Sequence, residues 1–122
     1  MRRSLLFAIV LATGTAAGGG AAFAQYGAIA YDIANGRWGA TWNEPNETAA
    51  RNGATHHCNS AGCQVRLAIG PHRCGALATT ENRKGWGTAI RDSRDSAKLG
   101  ALENCQHANS GECLVRAWDC NR

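Results

Sequence analysis

Cys63-Gln64-Val65-Arg66 returns fifty residues later as Cys113-Leu114-Val115-Arg116, and this repeated segment decides the fold. Further echoes lie on either side of it: Gly27-Ala28-Ile29-Ala30 returns as Gly75-Ala76-Leu77-Ala78, Trp38-Gly39 as Trp86-Gly87, and Cys58 as Cys105. The echoes lie 47 to 50 residues apart, and similarity within a chain at a nearly constant spacing indicates a duplicated structural unit. The sequence therefore predicts one domain made of two repeats, residues 26–73 and 74–122.

The first 24 residues are typical of a secretory signal peptide. Arg2 and Arg3 supply the positive start, an apolar run covers 5–11, and Ala22-Phe23-Ala24 is a small-x-small cleavage pattern. The apolar run is too short for a permanent membrane span, although a retained anchor is the alternative interpretation. Cleavage after Ala24 predicts a secreted or periplasmic domain, residues 25–122, with no membrane span.

The charge of residues 25–122 argues against a nucleic-acid partner. The whole chain has 13 Lys and Arg against 9 Asp and Glu, and two of the arginines lie in the signal peptide, which leaves +2. The remaining basic residues are scattered rather than gathered on one stripe. No motif for a cofactor occurs, and we expect none.

The six cysteines all lie after the cleavage site, and an even number in a small exported domain predicts three disulfides. A metal site is not predicted, because close Cys-x2-Cys pairs are missing. Six cysteines allow fifteen pairings. The scheme that respects the repeat is Cys58–Cys63, Cys105–Cys113 and Cys74–Cys120, the last of which could join the two copies. This last bridge closes the longest loop and should stabilise the fold most.

Each copy reads as strand, strand, helix, strand, which predicts an α+β fold with about six strands and two helices. Asn35-Gly36 marks the first hairpin turn. The helices should begin after Asn46 and near Ser93, residue types that cap helix N-termini, and each should end at its cysteine. Glycine inside a helix is unfavourable, so Gly53 and Gly100 at equivalent positions predict a close approach of helix to sheet. The helices could lie on one side of a single sheet or on two facing half-sheets.

The doubled six-cysteine pattern resembles the domain of unknown function 4189 family of secreted bacterial proteins, and the likeness covers residues 26–120. The resemblance implies export and cysteine pairing, and it brings no functional residues with it. The segments that carry it are Gly27-Ala28-Ile29-Ala30, the helix ending in Cys58, Cys63-x-Val65, Cys74-Gly75-Ala76-Leu77-Ala78, Trp86-Gly87, residues 97–105, Cys113-x-Val115 and Cys120.

The usual catalytic constellations are missing from the sequence. His56 and His57 are adjacent, so on a helix they point about 100° apart and cannot easily share a metal. No Gly-x-Ser-x-Gly elbow occurs, and paired cysteines leave no thiolate nucleophile. A carboxylate pair for hydrolysis would have to be gathered by the fold from four residues: Asp32, Glu44, Glu47 and Glu81.

The four tryptophans separate into structural and binding candidates. Trp38 and Trp86 are equivalent, which favours a packing role for both, and Trp42 aligns with an isoleucine and should belong to the core. Trp118 has no aromatic counterpart, and alternation places it on the same strand face as Arg116. A Trp beside an Arg can stack a sugar, a peptide or a base, or it can cover the edge of the core.

These features predict a non-catalytic binding or interaction domain whose partner is a protein or a component of the cell envelope. Trp118 and Arg116 are its candidate binding residues. A small hydrolase of cell-wall glycan or peptide is one alternative function, and a secreted protein inhibitor is another. No pattern in the chain selects an oligomeric state.

Overall fold

The structure, a computed structural model, describes residues 24–109 and 111–122, so residues 1–23 of the predicted signal peptide lie outside it. Six strands and two helices confirm the predicted α+β class. No helix in the described ranges has both the length and the apolar character needed to cross a membrane. The elements are β1 (Tyr26–Tyr31), β2 (Trp38–Glu44), α1 (Glu47–Cys58), β3 (Gln64–Ile69), β4 (Cys74–Thr80), β5 (Trp86–Arg91), α2 (Arg94–Ala108) and β6 (Cys113–Cys120).

The two helices are capped where the sequence predicts. The Asn46 side chain accepts a hydrogen bond from the Ala49 amide, and Ser93 caps α2 in the same way. α1 ends at Cys58 because the next residue, Asn59, takes a left-handed conformation and its amide returns to the Thr55 carbonyl. α2 instead continues for three residues beyond Cys105, so the predicted end of the second helix is wrong.

The strands form two antiparallel sheets, ordered β2-β1-β3 and β5-β4-β6, and each sheet comes from one copy. They face each other, with β3 against β5 and β2 against β6, and each sheet carries its helix on the outer face. Of the two predicted arrangements, the structure has the facing half-sheets, and the molecule is a four-layer α-β-β-α sandwich. Each sheet has two apolar faces, of which its helix covers one and the partner sheet covers the other.

Alternation along the central strands produces three apolar layers. Ala28 and Ala30 of β1 face α1, whereas Ile29 and Tyr31 face the other sheet. The same split occurs in β4, where Leu77 faces the first sheet. The helix-facing layers consist of small side chains: Ala28, Ala30, Ala50, Ala54 and Cys58 in the first copy, and Ala76, Ala78, Ala89, Ala97, Ala101 and Cys105 in the second.

Glycines allow each helix to lie directly on its sheet. A Cβ atom at Gly53 would lie 2.6 Å from the Thr41 Cγ2 atom, and the equivalent approach at Gly100 confirms the predicted close packing. The tighter contact is on the strand side, where a Cβ at Gly39 would lie 2.3 Å from the Cys58 amide nitrogen and one at Gly87 2.2 Å from that of Cys105. The glycine of each repeated Trp-Gly pair is therefore required by helix packing.

The three disulfides join Cys58 to Cys63, Cys105 to Cys113 and Cys74 to Cys120, the pairs of the symmetric scheme. The first two bridges each connect the C-terminal part of a helix to the start of the last strand of the same copy. The suggestion that Cys74–Cys120 joins the two copies is wrong, because both residues lie in the second sheet and face each other across β4 and β6. This bridge fastens two neighbouring strands of one copy.

A buried asparagine makes one polar connection between the copies. Asn121, only 5% exposed, follows β6 and reaches into the first copy. Its side-chain amide donates to the carbonyls of Ile69 and Gly70, and its side-chain oxygen accepts from the Asn43 amide. Its own backbone amide donates to the Arg73 carbonyl. The sequence reasoning did not single out this residue, since one Asn near a chain end has no distinguishing pattern.

Candidate functional site

The arginine of the repeated Cys-x-Val-Arg segment lies at a β-bulge in both copies. In the first sheet Val65 and Leu67 pair with consecutive residues of β1, which leaves Arg66 as the extra residue. The same register shift in the second sheet leaves Arg116 as the extra residue. A bulge turns the extra side chain away from regular alternation and is common beside functional sites. Two equivalent bulges therefore place two equivalent arginines.

The bulge corrects the predicted orientation of Trp118. Arg116 bonds to Thr79, whose side chain is on the face toward the other sheet, and Ala117 lies in the same layer. Trp118 pairs with Ala76, on the face that carries α2. The prediction that Trp118 and Arg116 share a strand face is wrong, because the inserted residue reverses the alternation between them.

The two arginine side chains converge on neighbouring residues of the second sheet. The Arg66 Cζ atom lies 5.2 Å from the centroid of the Trp86 ring. The Arg116 Nε atom donates to the Thr79 Oγ1 atom at 2.9 Å. Thr79 and Trp86 face each other directly across β4 and β5, and such cross-strand neighbours have Cβ atoms about 5 Å apart. Both guanidinium groups therefore lie at one end of the layer between the sheets.

Tyr31 completes this group from the first sheet. Its side chain is fully buried, its ring centroid lies 6.3 Å from that of Trp86, and its hydroxyl donates to the Arg83 carbonyl. Burial raises the pKa of the Tyr31 hydroxyl, against the opposing effect of the nearby positive charges of Arg116, Arg83 and Arg66. Tyr31 is therefore a neutral, hydrogen-bonded phenol. We call the set Tyr31, Arg66, Thr79, Trp86 and Arg116 the arginine seam.

The positive charge of the arginine seam has no carboxylate partner within the described ranges. The ion pairs found there are Glu47–Arg51, Arg73–Asp92 and Arg94–Asp119, which use neither Arg66 nor Arg116. The Arg66 Nε atom is buried and has no hydrogen-bond partner. A buried donor without an acceptor, and a partly buried charge without a counter-charge, are both unfavourable. The arrangement is suited to receive a negatively charged group.

Trp118 lies elsewhere, on the α2 side of β6. The residue is 41% exposed, and its ring is flanked by two cations of α2, with the Lys98 Nζ atom 3.6 Å and the Arg94 Cζ atom 5.0 Å from the ring centroid. These contacts hold the ring at the surface by cation–π attraction. The structure therefore separates the two predicted binding residues, and a binding role for Trp118 stays a prediction.

The equivalent tryptophans Trp38 and Trp86 differ in their surroundings. Trp86 packs against the layer between the sheets, as a structural role requires, and Trp42 packs there too. Trp38 is 41% exposed. The surroundings of the two tryptophans therefore differ, and a packing role for Trp38 stays a prediction.

The four acidic residues proposed for a hydrolytic pair lie at strand ends, in a helix turn and in a hairpin loop. Asp32 is buried at the end of β1, where it accepts from the Ser60 hydroxyl and the Ala34 amide, and these hydrogen bonds lower its pKa. Glu47 forms an ion pair with Arg51 in the first turn of α1. Glu44 ends β2, and Glu81 lies in the loop between β4 and β5.

The histidines do not form a metal site. His56 and His57 are exposed in the last turn of α1, with ring centroids 6.0 Å apart. Within 24–109 and 111–122, no group of three His, Cys, Asp or Glu side chains is arranged to hold a metal ion.

Sequence reasoning found only part of the arginine seam. It selected Arg116 but missed Arg66, Tyr31 and Thr79, and it assigned Trp86 to packing alone. The available signal was the repeated segment itself, which places an arginine directly after a valine in the last strand of both copies. A charged residue kept at that point in both copies indicates a role beyond packing.

Comparison with known proteins identifies the family. The family model described as Domain of unknown function (DUF4189) matches residues 26–120. Similar proteins include Protein Rv1269c of Mycobacterium tuberculosis and Protein Mb1300c of Mycobacterium bovis. Each is 31% identical over 96 residues, which is 79% of this chain and 69% of the relative. No solved structure matches this chain.

Proposed function

The chain belongs to the Domain of unknown function (DUF4189) family, and from that premise we propose that it is a disulfide-stapled binding domain that works outside the cytoplasm and catalyses no reaction. Its ligand site is the arginine seam. Its partner is a component of the cell envelope or another protein.

Export is supported by the cysteines and by the N-terminal sequence. All six cysteines are paired, and such pairs persist in oxidising compartments. The predicted signal peptide ends at Ala24, just before β1 begins at Tyr26. Cleavage there would leave the whole sandwich intact.

Binding without catalysis is supported by the chemistry of the arginine seam, and the converging pair Arg66 and Arg116 is the observation that carries the proposal. Catalysis of hydrolysis needs a nucleophile or a group that transfers protons near neutral pH. The seam offers two guanidinium groups, the Thr79 hydroxyl, which accepts from Arg116, and the phenol of Tyr31, whose pKa is raised. These groups can attract and orient a ligand but cannot act as a general base at neutral pH.

The proposal is tested with the oxidised chain purified from its natural compartment. We expect cell fractionation to place it outside the cytoplasm, and mass spectrometry to find Gln25 as the first residue and no free thiol. Photo-crosslinking in an envelope extract should capture a partner with the natural chain and not with the Arg66→Gln/Arg116→Gln variant.

The matched control for crosslinking is Arg91→Gln, which removes one positive charge at the other end of β5 from Trp86. Equal capture by the natural chain and the double variant would contradict the seam as the ligand site. A cytoplasmic chain with free thiols would contradict export. Release of sugars or peptides from purified cell wall would favour the hydrolase instead.

A further inference from the structure

We infer that the arginine seam binds a single oxyanion, a carboxylate or phosphate group of its ligand, held between the guanidinium groups of Arg66 and Arg116. The inference rests on the proposed function and specifies the ligand of the same site. Four features of the seam carry it: the geometry of the two arginines, their free donors, the local charge and the ring of Trp86.

The geometry brings two forked donors to the same end of the interface between the sheets. The Arg66 side chain contacts the Trp86 ring from the first sheet. The Arg116 side chain bonds to Thr79 within the second sheet. Because Thr79 and Trp86 are direct cross-strand partners, the two guanidinium groups approach from opposite sides of the interface between the sheets. An oxyanion between them can present one oxygen to each group.

Donors remain free in both groups. An arginine side chain has five N–H donors. Arg116 uses its Nε atom on Thr79, and the buried Nε atom of Arg66 has no partner. A planar fork of N–H donors matches the spacing of carboxylate and phosphate oxygens, and such charge-assisted bonds are among the strongest in proteins.

The local charge favours an anion. Three arginines act on the hydroxyl of Tyr31, namely Arg116, Arg83 and Arg66. The nearby acidic side chain is Asp32, and its carboxylate is already occupied by Ser60 and Ala34. Because Arg66 and Arg116 are only partly exposed, their attraction for an anion is screened less than that of a surface arginine.

Trp86 makes the site rigid by fixing the orientation of the Arg66 guanidinium group. Its ring supports the Arg66 guanidinium by cation–π contact and is itself held against Tyr31. A guanidinium held in one orientation loses less entropy when it binds. The site is small and its charge local, whereas the net charge of the exported part is only +2, so one oxyanion group fits better than a polyanion such as nucleic acid.

The test is an NMR titration of the oxidised, exported chain, first with inorganic phosphate and separately with acetate, at constant ionic strength set by chloride. We expect saturable shifts in the Arg66 and Arg116 Nε–H signals and in the Trp86 indole N–H signal. The tighter of the two probes identifies the source as phosphate or carboxylate. The absence of saturable shifts with both probes would overturn the inference.

Two variants distinguish hydrogen bonding by the planar guanidinium fork from attraction by charge alone. Arg116→Lys keeps the charge and loses the fork, and we expect its affinity to fall about tenfold. Arg66→Gln should abolish saturation, while the control Arg91→Gln should bind as the natural chain does. Equal binding by Arg66→Gln and the natural chain would overturn the inference. Because the natural chain reports its own arginine signals, the test remains decisive even if a variant fails to fold.

The failure of this inference differs from the failure of the proposed function. A partner captured by the natural chain and lost in the double variant, without any response to phosphate or acetate, would leave the seam as a binding site and overturn its anionic ligand. Seam signals that saturate with one of the probes, with no partner captured, would support the oxyanion and contradict a protein partner.

Discussion

The two copies are nearly identical where helix meets sheet and different where sheet meets sheet and where loops meet. A Cβ atom at Gly39 would lie 2.3 Å from the Cys58 amide nitrogen, and one at Gly87 would lie 2.2 Å from that of Cys105. Cys58 and Cys105 lie in equivalent positions of the two helix-facing layers. At these points backbone touches backbone, so any added atom would push a helix off its sheet. The layer between the sheets contains larger aliphatic side chains such as Ile29, Ile69 and Leu77, and residues of this type can be exchanged if total volume is kept.

The hairpin loops show one such difference. In the first copy the carboxylate of Asp32 fills the space beside Gly62 and bonds to Ser60. In the second copy the equivalent Thr80 bonds within its own hairpin, to Asn82 and Gly85. The helix-to-strand bridge also spans eight residues instead of five. An open groove of about 380 Å³ lies beside the hairpin between β4 and β5, lined by Thr80, Glu81, Asn82, Gly111 and Glu112.

The ends of the sheets differ as well. The second sheet is closed by the Cys74–Cys120 bridge, and the equivalent positions of the first sheet hold Tyr26 and Gly70. The first copy contributes Tyr31 to the arginine seam, and the second copy has Thr79 at that point. The duplicated unit has therefore become two different halves, and both contribute residues to the arginine seam.

The largest effect expected from this asymmetry is the loss of stability when a disulfide is removed. Cys74→Ser with Cys120→Ser should lower the free energy of unfolding by about 4 kcal/mol, and Cys58→Ser with Cys63→Ser by about 2 kcal/mol, because the first bridge closes a much longer loop. The loops span 46 and 5 residues, respectively. Denaturant titration measures both. Equal losses would mean that loop closure does not set their contributions.

The symmetric part can be tested with two alanine substitutions. Gly39→Ala and Gly87→Ala should each cost about 3 kcal/mol, since the new Cβ meets helix backbone that cannot move alone. Gly70→Ala is the control, because a Cβ there meets no atom within 4 Å, and it should change stability by less than about 0.5 kcal/mol. Clearly unequal losses at Gly39 and Gly87 would contradict the equivalence of the two helix–sheet contacts.

The polar connection that Asn121 makes between the copies should contribute somewhat less to stability than the two glycine contacts. Asn121→Ala leaves the carbonyls of Ile69 and Gly70 and the Asn43 amide without their partner, and we expect a loss of about 2–3 kcal/mol. Arg122→Ala is the control, because its contact with the first copy is made by backbone. Hydrogen exchange at the Asn43 amide gives a local measure, and unchanged protection there would argue against the connection.

The smallest effect concerns Asp32 and depends on pH. Its pKa is lowered from the ordinary 3.8, chiefly by the Ser60 hydroxyl, so its contribution to stability is present above that value and is lost as pH falls through the lower folded pKa. Asp32→Asn should therefore be less stable than the natural chain at pH 6, and the gap should close below about pH 3.8. Glu81→Gln, in the equivalent hairpin of the second copy, is the matched control. A constant gap at all pH values would exclude this linkage.

Much of the fold could be predicted because its signals are local or repeated. Asn46 and Ser93 cap helices by their own chemistry, and Gly53 and Gly100 carry a cost that only close packing explains. The arginine seam was mostly hidden because a bulge has no reliable sequence signal. Regular alternation places Arg116 beside Trp118, whereas one inserted residue sends them to opposite faces.

The sequence by itself determined the duplication and the element order, because these follow from repetition and from local backbone preferences. It favoured the symmetric scheme among fifteen possible cysteine pairings, and the structure has that scheme. Only the tertiary structure decided that the two sheets face each other, that Cys74–Cys120 closes one sheet, and that Arg66 and Arg116 lie at the same end of the interface as Tyr31. The physical reason is that these contacts join residues distant in the chain through the packing of whole layers. The long-range geometry of that packing is not contained in the preferences of any single segment.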